Sequence, residues 1–418
     1  MRKDLFTEIQ AKFEANRCLM CADAPCSCNC PAGVDARAFI RKIRFDNLDG
    51  AVRLLKNCNV LSASCAYICP TGSSCAGKCT SAQLSTPIDI AGLQKFVMEY
   101  ERKRGMIVPI LVPADKGPIA IVGSGPAGLG CAAKLASLGY KVKVFEKDGR
   151  IGGLLTSTIP SFRLPKEVVE FEIEFIKKLG VEFVTDKKID DPRLLFKQGF
   201  KAIFIGTGLV KSRVAEFIGE DRPGVFQALD FLRSAKLGKI PDMGRRVLVI
   251  GGGDTAIDSA RVAKRAGTEC FILYRRMQNE MPAYEEELDA AWHDGVEFYF
   301  RVIPRSVVGK DRIEGLKCVR VKWHEKIAGM KQGYDVEGPE FTISCDSVIV
   351  AAGQEPETNF GLRSGSSGLI ALEKDSFKTS EKFIYAGGDI TCGGGTAARA
   401  VGMGKLAAIE IDSDLSSA

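Results

Sequence analysis

The feature that most constrains this chain is a motif used twice. Ile119-Ala-Ile-Val-Gly-Ser-Gly-Pro-Ala-Gly128 is matched 128 residues later by Val247-Leu-Val-Ile-Gly-Gly-Gly-Asp-Thr-Ala256. In each, a short apolar run enters a glycine-rich turn, a helical stretch follows, and a second apolar run returns, Lys141 to Phe145 in one and Cys270 to Tyr274 in the other. Strand, turn, helix and parallel strand in that order make a βαβ unit whose turn offers backbone amides to a pyrophosphate at the helix N-terminus. The repeat predicts an α/β chain with two Rossmann-like nucleotide-binding domains, and further strands are expected at Ala202 to Ile205, Ser347 to Ala351 and Phe383 to Ala386.

The two units differ in the residues around the turn. In the first, Gly123, Gly125 and Gly128 enclose Pro126 and Ala127 in a G-x-G-x-x-G fingerprint, and Glu146 ends the second strand, where a carboxylate accepts hydrogen bonds from a ribose diol. Gly152-Gly153-Leu154 and the run from Thr379 through Tyr385-Ala-Gly-Gly388-Asp389 look like flavoprotein signatures, so FAD is expected here. In such proteins the aspartate holds the ribityl-phosphate region and the next helix points at the isoalloxazine. Here those would be Asp389 and Gly395-Thr396-Ala397; an ordinary turn aspartate is the alternative.

The second fingerprint has Gly251 and Gly253, then Asp254, Thr255 and Ala256, and by elimination is the nicotinamide site. Its second strand ends in Tyr274-Arg275-Arg276 instead of an acid. Planar guanidinium donors suit a 2′-phosphate, which favours NADPH over NADH; a solvated charge pair is the alternative.

Composition matters mainly through cysteine. Ten of fifteen lie in the first 79 residues, where the helical periods Thr7 to Asn16, Asp35 to Arg44, Leu48 to Asn57 and Ile90 to Arg104 are separated by cysteine-rich loops. Met1 to Gln10 lacks an apolar run, so a cytoplasmic chain without a membrane span is expected, and disulfides are disfavoured. A net charge of +6, from 58 basic and 52 acidic residues without a basic block, gives no reason to expect nucleic-acid binding.

Cys18-x2-Cys21-x4-Cys26-x3-Cys30-Pro31 has the close spacing and terminal proline of a ferredoxin-type loop, and Cys65-x3-Cys69-Pro70-x4-Cys75-x3-Cys79 repeats the theme. Zinc is the alternative, although the region has no histidine and more thiols than one ion takes. Cys28 and Cys58 fall outside the spacing. The nucleotide domains contain no C-x-x-C, which argues against a disulfide-reducing enzyme of the thioredoxin reductase type. His293 and His324 sit in no motif, Glu285 to Glu287 reads as an exposed helix face, and Ser413 to Ala418 as a frayed tail.

In motif order, from about Asn16 to Glu410, the chain resembles the glutamate synthase small subunit and the NADPH-oxidising part of dihydropyrimidine dehydrogenase. The resemblance implies an α-helical domain with two 4Fe-4S clusters at 1–113, an FAD domain at 114–209 and 353–418, and an inserted NADPH domain at 210–352. It assigns Cys18, Cys21, Cys26 and Cys79 to one cluster and Cys30, Cys69, Cys75 and Gln94 to the other. Cys65 matches a cysteine that is not a ligand there. Without the resemblance, Gln94 reads as a half-buried helix residue. Arg163, in Ile159-Pro-Ser-Phe-Arg-Leu-Pro165, is implied to lie against the flavin, and Ile189 and Gly353 to make backbone contacts to FAD and NADPH. One departure is that Met277 to Pro282 contains no basic residue.

The function implied is electron input. NADPH gives hydride to the flavin N5, and electrons pass through the clusters and out of the protein, with no side-chain acid or base required. The length leaves no space for a further barrel of ~250 residues. The acceptor is therefore expected to be a partner catalytic subunit of glutamate synthase or dihydropyrimidine dehydrogenase type, or a ferredoxin-like carrier, in a hetero-oligomer. A free-standing NADPH:acceptor or ferredoxin:NADP oxidoreductase, and a zinc-stabilised nucleotide-binding scaffold, are the alternatives.

Overall fold

The computed structural model describes residues 5–110, 112–324, 332–365 and 367–417. The parts of the terminal readings that fall on residues 1–4, 111 and 418 lie outside them. The chain forms two compact units, one of Met1–Ser157, Ser161–Leu209 and Pro356–Ala418, the other of Thr158–Pro160 and Val210–Glu355.

The first unit begins with helices whose starts are fixed by side-chain caps. Thr7 and Gln10 form a capping box before Glu8–Asn16, Asp35 accepts from Ala38 N before Ala36–Arg44, and Asn47 from Gly50 N before Leu48–Cys58. Asp89 does the same for Ile90–Arg104. Each cap satisfies an otherwise orphaned amide and contributes about 1 kcal/mol. Periodicity does not show the helices Pro25–Cys28 and Ser62–Ile68, which carry cysteines of both groups.

The sheet of this unit is parallel, in the order Ile384–Ala386, Ala202–Ile205, Lys116–Val122, Tyr140–Phe145, Glu182–Val184. The expected tail is instead the end of a long helix, Ala397–Ser416. Asp412 there accepts from Lys116 Nζ and Tyr140 Oη, and Asp414 from Lys378 Nζ and Tyr385 Oη, so polar residues with the pattern of a solvated end anchor the helix to the sheet.

The second unit repeats the plan, with parallel strands ordered Val225–Gln227, Ser347–Val350, Arg246–Ile250, Glu269–Tyr274, Glu297–Phe300. It also holds an antiparallel sheet of Val302–Val308, Gly315–Trp323 and Tyr334–Ser344, which the sequence pattern does not reveal. A register shift between Cys318 and Arg320 breaks the alternation that would signal it. Glu287 is not on an exposed face as expected: it is half-buried and accepts from Arg261 Nη1 at 2.8 Å.

Candidate functional site

Register explains why the two turns carry different chemistry. Gly123 N donates to Phe145 O at 2.8 Å and Gly251 N to Leu273 O at 3.1 Å, so Glu146 and Tyr274 are counterparts, each one residue beyond the strand residue that accepts from its turn.

At the first turn a Cβ on Gly128 would lie 2.0 Å from Gly123 O, whereas one on Gly125 would meet nothing nearer than Gly206 O at 3.8 Å. Glycine at 128 lets the helix close on the turn, and glycine at 125 leaves a bare approach to the N-terminus of helix Pro126–Ser137. Glu146 is buried; its Oε2 accepts from Ser124 N at 2.9 Å and Ser124 Oγ at 2.6 Å, and its Oε1 from Asp148 N at 3.0 Å. Ser124 Oγ in turn accepts from Gly152 N at 3.0 Å. Ser124 occupies a variable position inside the fingerprint, so the motif does not single it out, yet it ties turn, acid and Gly152-Gly153-Leu154 together.

A Cβ on Gly153 would lie 2.9 Å from the Gly125 Cα, and one on Gly388, with φ 79°, 2.8 Å from the Ala127 Cβ. Asp389 follows on helix Asp389–Cys392, its carboxyl pushed up to about 6 by burial despite the nearby Arg399 guanidinium. Thr396 caps the helix that begins at Ala397 by accepting from Arg399 N at 3.1 Å. Arg163 is buried, and Ile189 packs on the core that contains Val122 and Phe145. A bare turn, a helix N-terminus, a fixed carboxylate and a second, half-buried acid fit an adenine dinucleotide.

At the second turn Gly253 is similarly open, with Pro282 Cγ 3.9 Å from its Cβ position, and precedes helix Asp254–Arg265. Asp254 Oδ1 accepts from Tyr284 N at 3.2 Å, Thr255 Oγ1 from Gln354 Nε2 at 3.1 Å, and Gly353 O from Arg213 N at 3.0 Å. Ala256 is fully buried. The Tyr274 ring would lie 2.3 Å from a Cβ on Gly252, so an aromatic ring sits against the turn where the first unit has Ser124 and Glu146. Arg275 is exposed and Arg276 half-buried.

Cys18, Cys21, Cys26 and Cys79 line one cavity together with Leu19, Arg37, Ser81 and Ile88. Two arginines of helix Ala36–Arg44 hold its rim: Arg37 Nη1 donates to the Cys21 and Ala22 carbonyls at 3.0 and 2.9 Å, and Arg44 Nη2 to those of Ala15, Asn16 and Cys18 at 2.8–3.1 Å. Burial raises the Cys18 and Cys26 thiols, so cationic charge is needed to hold them as thiolates. Among the described residues no three His, Cys, Asp or Glu side chains are disposed around a single metal ion. One zinc would draw its thiolates to within roughly 4 Å of each other. Four thiols lining one cavity offer the all-thiolate ligand set that an iron–sulfur core takes.

Cys30, Cys65, Cys69 and Cys75 form a second neighbourhood, in which burial raises Cys30 and brings Cys75 to about 11, while a hydrogen bond with Cys69 is the main cause that raises Cys65. Gln94 is buried and its Nε2 donates to Ser62 O at 2.5 Å, in the helix that carries Cys65. Cys28 is exposed, and the Cys58 carbonyl accepts from Lys405 Nζ.

This cysteine segment is packed into the first unit. A Cβ on Gly402 would lie 2.0 Å from Pro31 O, and Lys405 Nζ donates to the Ala32 and Cys58 carbonyls at 2.6 Å each. Glu172, on helix Lys166–Lys178, accepts from Ala63 N at 2.6 Å and from the backbone and hydroxyl of Ser64. Lys56 pairs with buried Glu101 beside it and lies 3.7 Å from the centre of the Phe175 ring.

Paired Rossmann-like units, the first packed on a cysteine-rich helical segment, define an α/β oxidoreductase of the two-dinucleotide type. Comparison with known proteins agrees. The model of the pyridine nucleotide-disulphide oxidoreductase family matches residues 117–404, and that of dihydropyrimidine dehydrogenase domain II, 4Fe-4S cluster, matches residues 2–106. The NAD-dependent dihydropyrimidine dehydrogenase subunit PreT of Escherichia coli K12 is 35% identical, over 96% of this chain and 94% of its own. The NADP(+)-dependent formate dehydrogenase subunit beta of Moorella thermoacetica is 35% identical over 93% of this chain, which spans only 59% of that protein. The fold is shared with FprA of Mycobacterium tuberculosis in complex with NADPH, at a TM-score of 0.62 and 18% identity, over 73% of this chain and 85% of that one. The chain belongs to the pyridine nucleotide-disulphide oxidoreductase family, alongside PreT and the glutamate synthase small chains, and carries their 4Fe-4S-type amino-terminal domain. No described helix is long and apolar enough to cross a membrane.

Proposed function

We propose that the chain is an electron-input subunit that oxidises NADPH at FAD and passes electrons through two 4Fe-4S clusters to a partner catalytic chain of glutamate synthase or dihydropyrimidine dehydrogenase type. In this reading residues 1–113 hold the clusters, 114–209 with 353–418 the FAD, and 210–352 the NADPH. Bound at these sites, FAD would supply hydride acceptance with one-electron release, and iron–sulfur clusters one-electron transfer onward.

This chain's own residues supply binding and alignment. The turn amides at Gly123 to Gly128 take the FAD pyrophosphate, Glu146 the ribose, Gly153 and Leu154 the neighbouring backbone, and Arg163, Ile189, Gly388, Asp389, Thr396 and Ala397 the flavin end. Gly251 to Ala256, Arg275, Arg276 and Gly353 take the pyridine nucleotide. The first cluster takes Cys18, Cys21, Cys26 and Cys79, and the second Cys30, Cys69, Cys75 and Gln94. The observation that carries the reading is the seating of the Cys30-Pro31-Ala32 loop on helix Ala397–Ser416, which follows the Gly388-Asp389 segment; it gives the cysteine segment and the flavin cradle one rigid element in common.

Anaerobically purified protein tests it. Iron and acid-labile sulfide matching two 4Fe-4S clusters, one FAD per chain, and bleaching of both chromophores by NADPH are expected. Zinc without sulfide, or flavin that NADPH leaves oxidised, would overturn it. Anaerobic co-purification from the native host then identifies the acceptor chain.

A further inference from the structure

The end of strand Glu269–Tyr274 meets an aromatic ring from the antiparallel sheet. Trp323, last residue of strand Gly315–Trp323, has the Arg275 and Arg276 guanidinium carbons 5.7 and 5.0 Å from its ring centre. Its Nε1 donates to the Arg275 carbonyl at 2.5 Å, and Tyr334 packs on it with ring centres 5.0 Å apart. Arg276 Nη2 donates to Gln332 Oε1 at 2.9 Å, and Glu280 lies 3.9 Å from Arg276 Nε. One indole therefore faces both cations and is itself locked in place from two sides.

The location gives this cluster its meaning. Tyr274 is the counterpart of Glu146, so the arginines follow directly after the position that faces the ribose in the first unit. A carboxylate there would repel a 2′-phosphate; paired guanidinium groups attract one. Unrestrained arginine side chains lose much rotamer freedom on clamping a phosphate, and a ring that already restricts them removes part of that cost.

We propose that Trp323 sets coenzyme choice, as a positioning residue that orients Arg275 and Arg276 toward a ribose 2′-phosphate. The inference rests on the NADPH reading above and adds the residue through which the preference acts. No basic residue in Met277 to Pro282 supplements the pair, so the preference depends on how well these two arginines are ordered.

The test is calorimetric titration of the oxidised holoprotein with NADP+ and with NAD+. Trp323→Leu keeps apolar bulk without a π face, Trp323→Phe keeps a ring, and Arg275→Ala removes one cation. With the cation–π attraction removed from each arginine, Trp323→Leu is expected to raise the Kd for NADP+ about tenfold and leave that for NAD+ within about twofold, while Trp323→Phe stays within about threefold for both. Equal changes for the two coenzymes, or none, in Trp323→Leu while Arg275→Ala still loses NADP+ selectively would overturn the role of Trp323 and leave the NADPH reading standing. Equal losses of both coenzymes in Arg275→Ala would remove the NADPH reading itself, and the proposal with it.

Discussion

Gly128→Ala is the smallest change that tests how the first turn works. The added methyl would sit 2.0 Å from Gly123 O and 3.3 Å from the Ile121 Cγ2. Carbon–oxygen contacts settle at about 3.3 Å, so turn and helix must separate by about 1.3 Å. The oxygen it meets is backbone, and no rotamer change can relieve the clash. Overpacking of this kind costs roughly 1–3 kcal/mol. If the displacement falls on the turn amides, FAD affinity drops by roughly 5- to 150-fold. The check is flavin content from absorbance after gel filtration, followed by titration of the apoprotein with FAD. The second fingerprint supplies the control. It already carries a fully buried alanine, Ala256, on a differently shaped turn, with φ 149° at Gly251 against 98° at Gly123. Ala256→Gly should leave FAD unaffected. A Gly128→Ala protein that binds FAD stoichiometrically and as tightly as the parent would refute the argument that this glycine is required for closure.

Cys21→Ser should lower iron and sulfide while FAD stays bound; a folded variant that has lost its flavin would contradict the separation of the two sites. Glu172 gives a pH prediction: burial lifts its carboxyl from 4.5 to about 8, against the hydrogen bonds of Ser64 and Ala63 and the charge of Lys56, which pull it down. The folded state then retains a proton that the unfolded chain has lost, so its contribution is complete below pH 4.5 and declines as pH rises through 8, by on the order of 5 kcal/mol. Unfolding or hydrogen exchange at Ala63 and Ser64, followed from about pH 5 to about pH 9, should show stability weakening with pH more steeply in the parent than in Glu172→Gln; parallel profiles would sink the assignment. Lys405→Met strips the Ala32 and Cys58 carbonyls of a charged donor, each bond worth about 1.5–3 kcal/mol, and should make the amino-terminal segment more sensitive to limited proteolysis while FAD is retained.

Both fingerprints are readable from sequence because a βαβ turn is a local structure, specified within about ten residues. Four helical periods are readable for the same reason, and the structure moves their ends only by the capping residue or a single position. Other features depend on partners far along the chain. Ser124 gains its meaning from Glu146, Lys405 from Ala32 and Cys58, and Trp323 from a strand that ends at Tyr274. Neither hydrophobic period nor motif spacing records such pairings. Trp323 leaves one trace, as one of only two tryptophans in the chain. The tail reads as frayed because Asp414 looks solvated until Tyr385 is placed beside it.

Helix Ala397–Ser416 has a consequence for anyone dissecting the protein. Gly402 makes room for the Pro31 carbonyl and Gly404, two residues on, for the Ala127 carbonyl, so opposite faces of one turn of the rod serve as seats for the thiol-bearing loop and the first nucleotide helix. Cutting the chain just after helix Ile90–Arg104 would therefore bare a notch shaped for a main chain, and grafting the front segment onto another flavoprotein would require transplanting that notch as well.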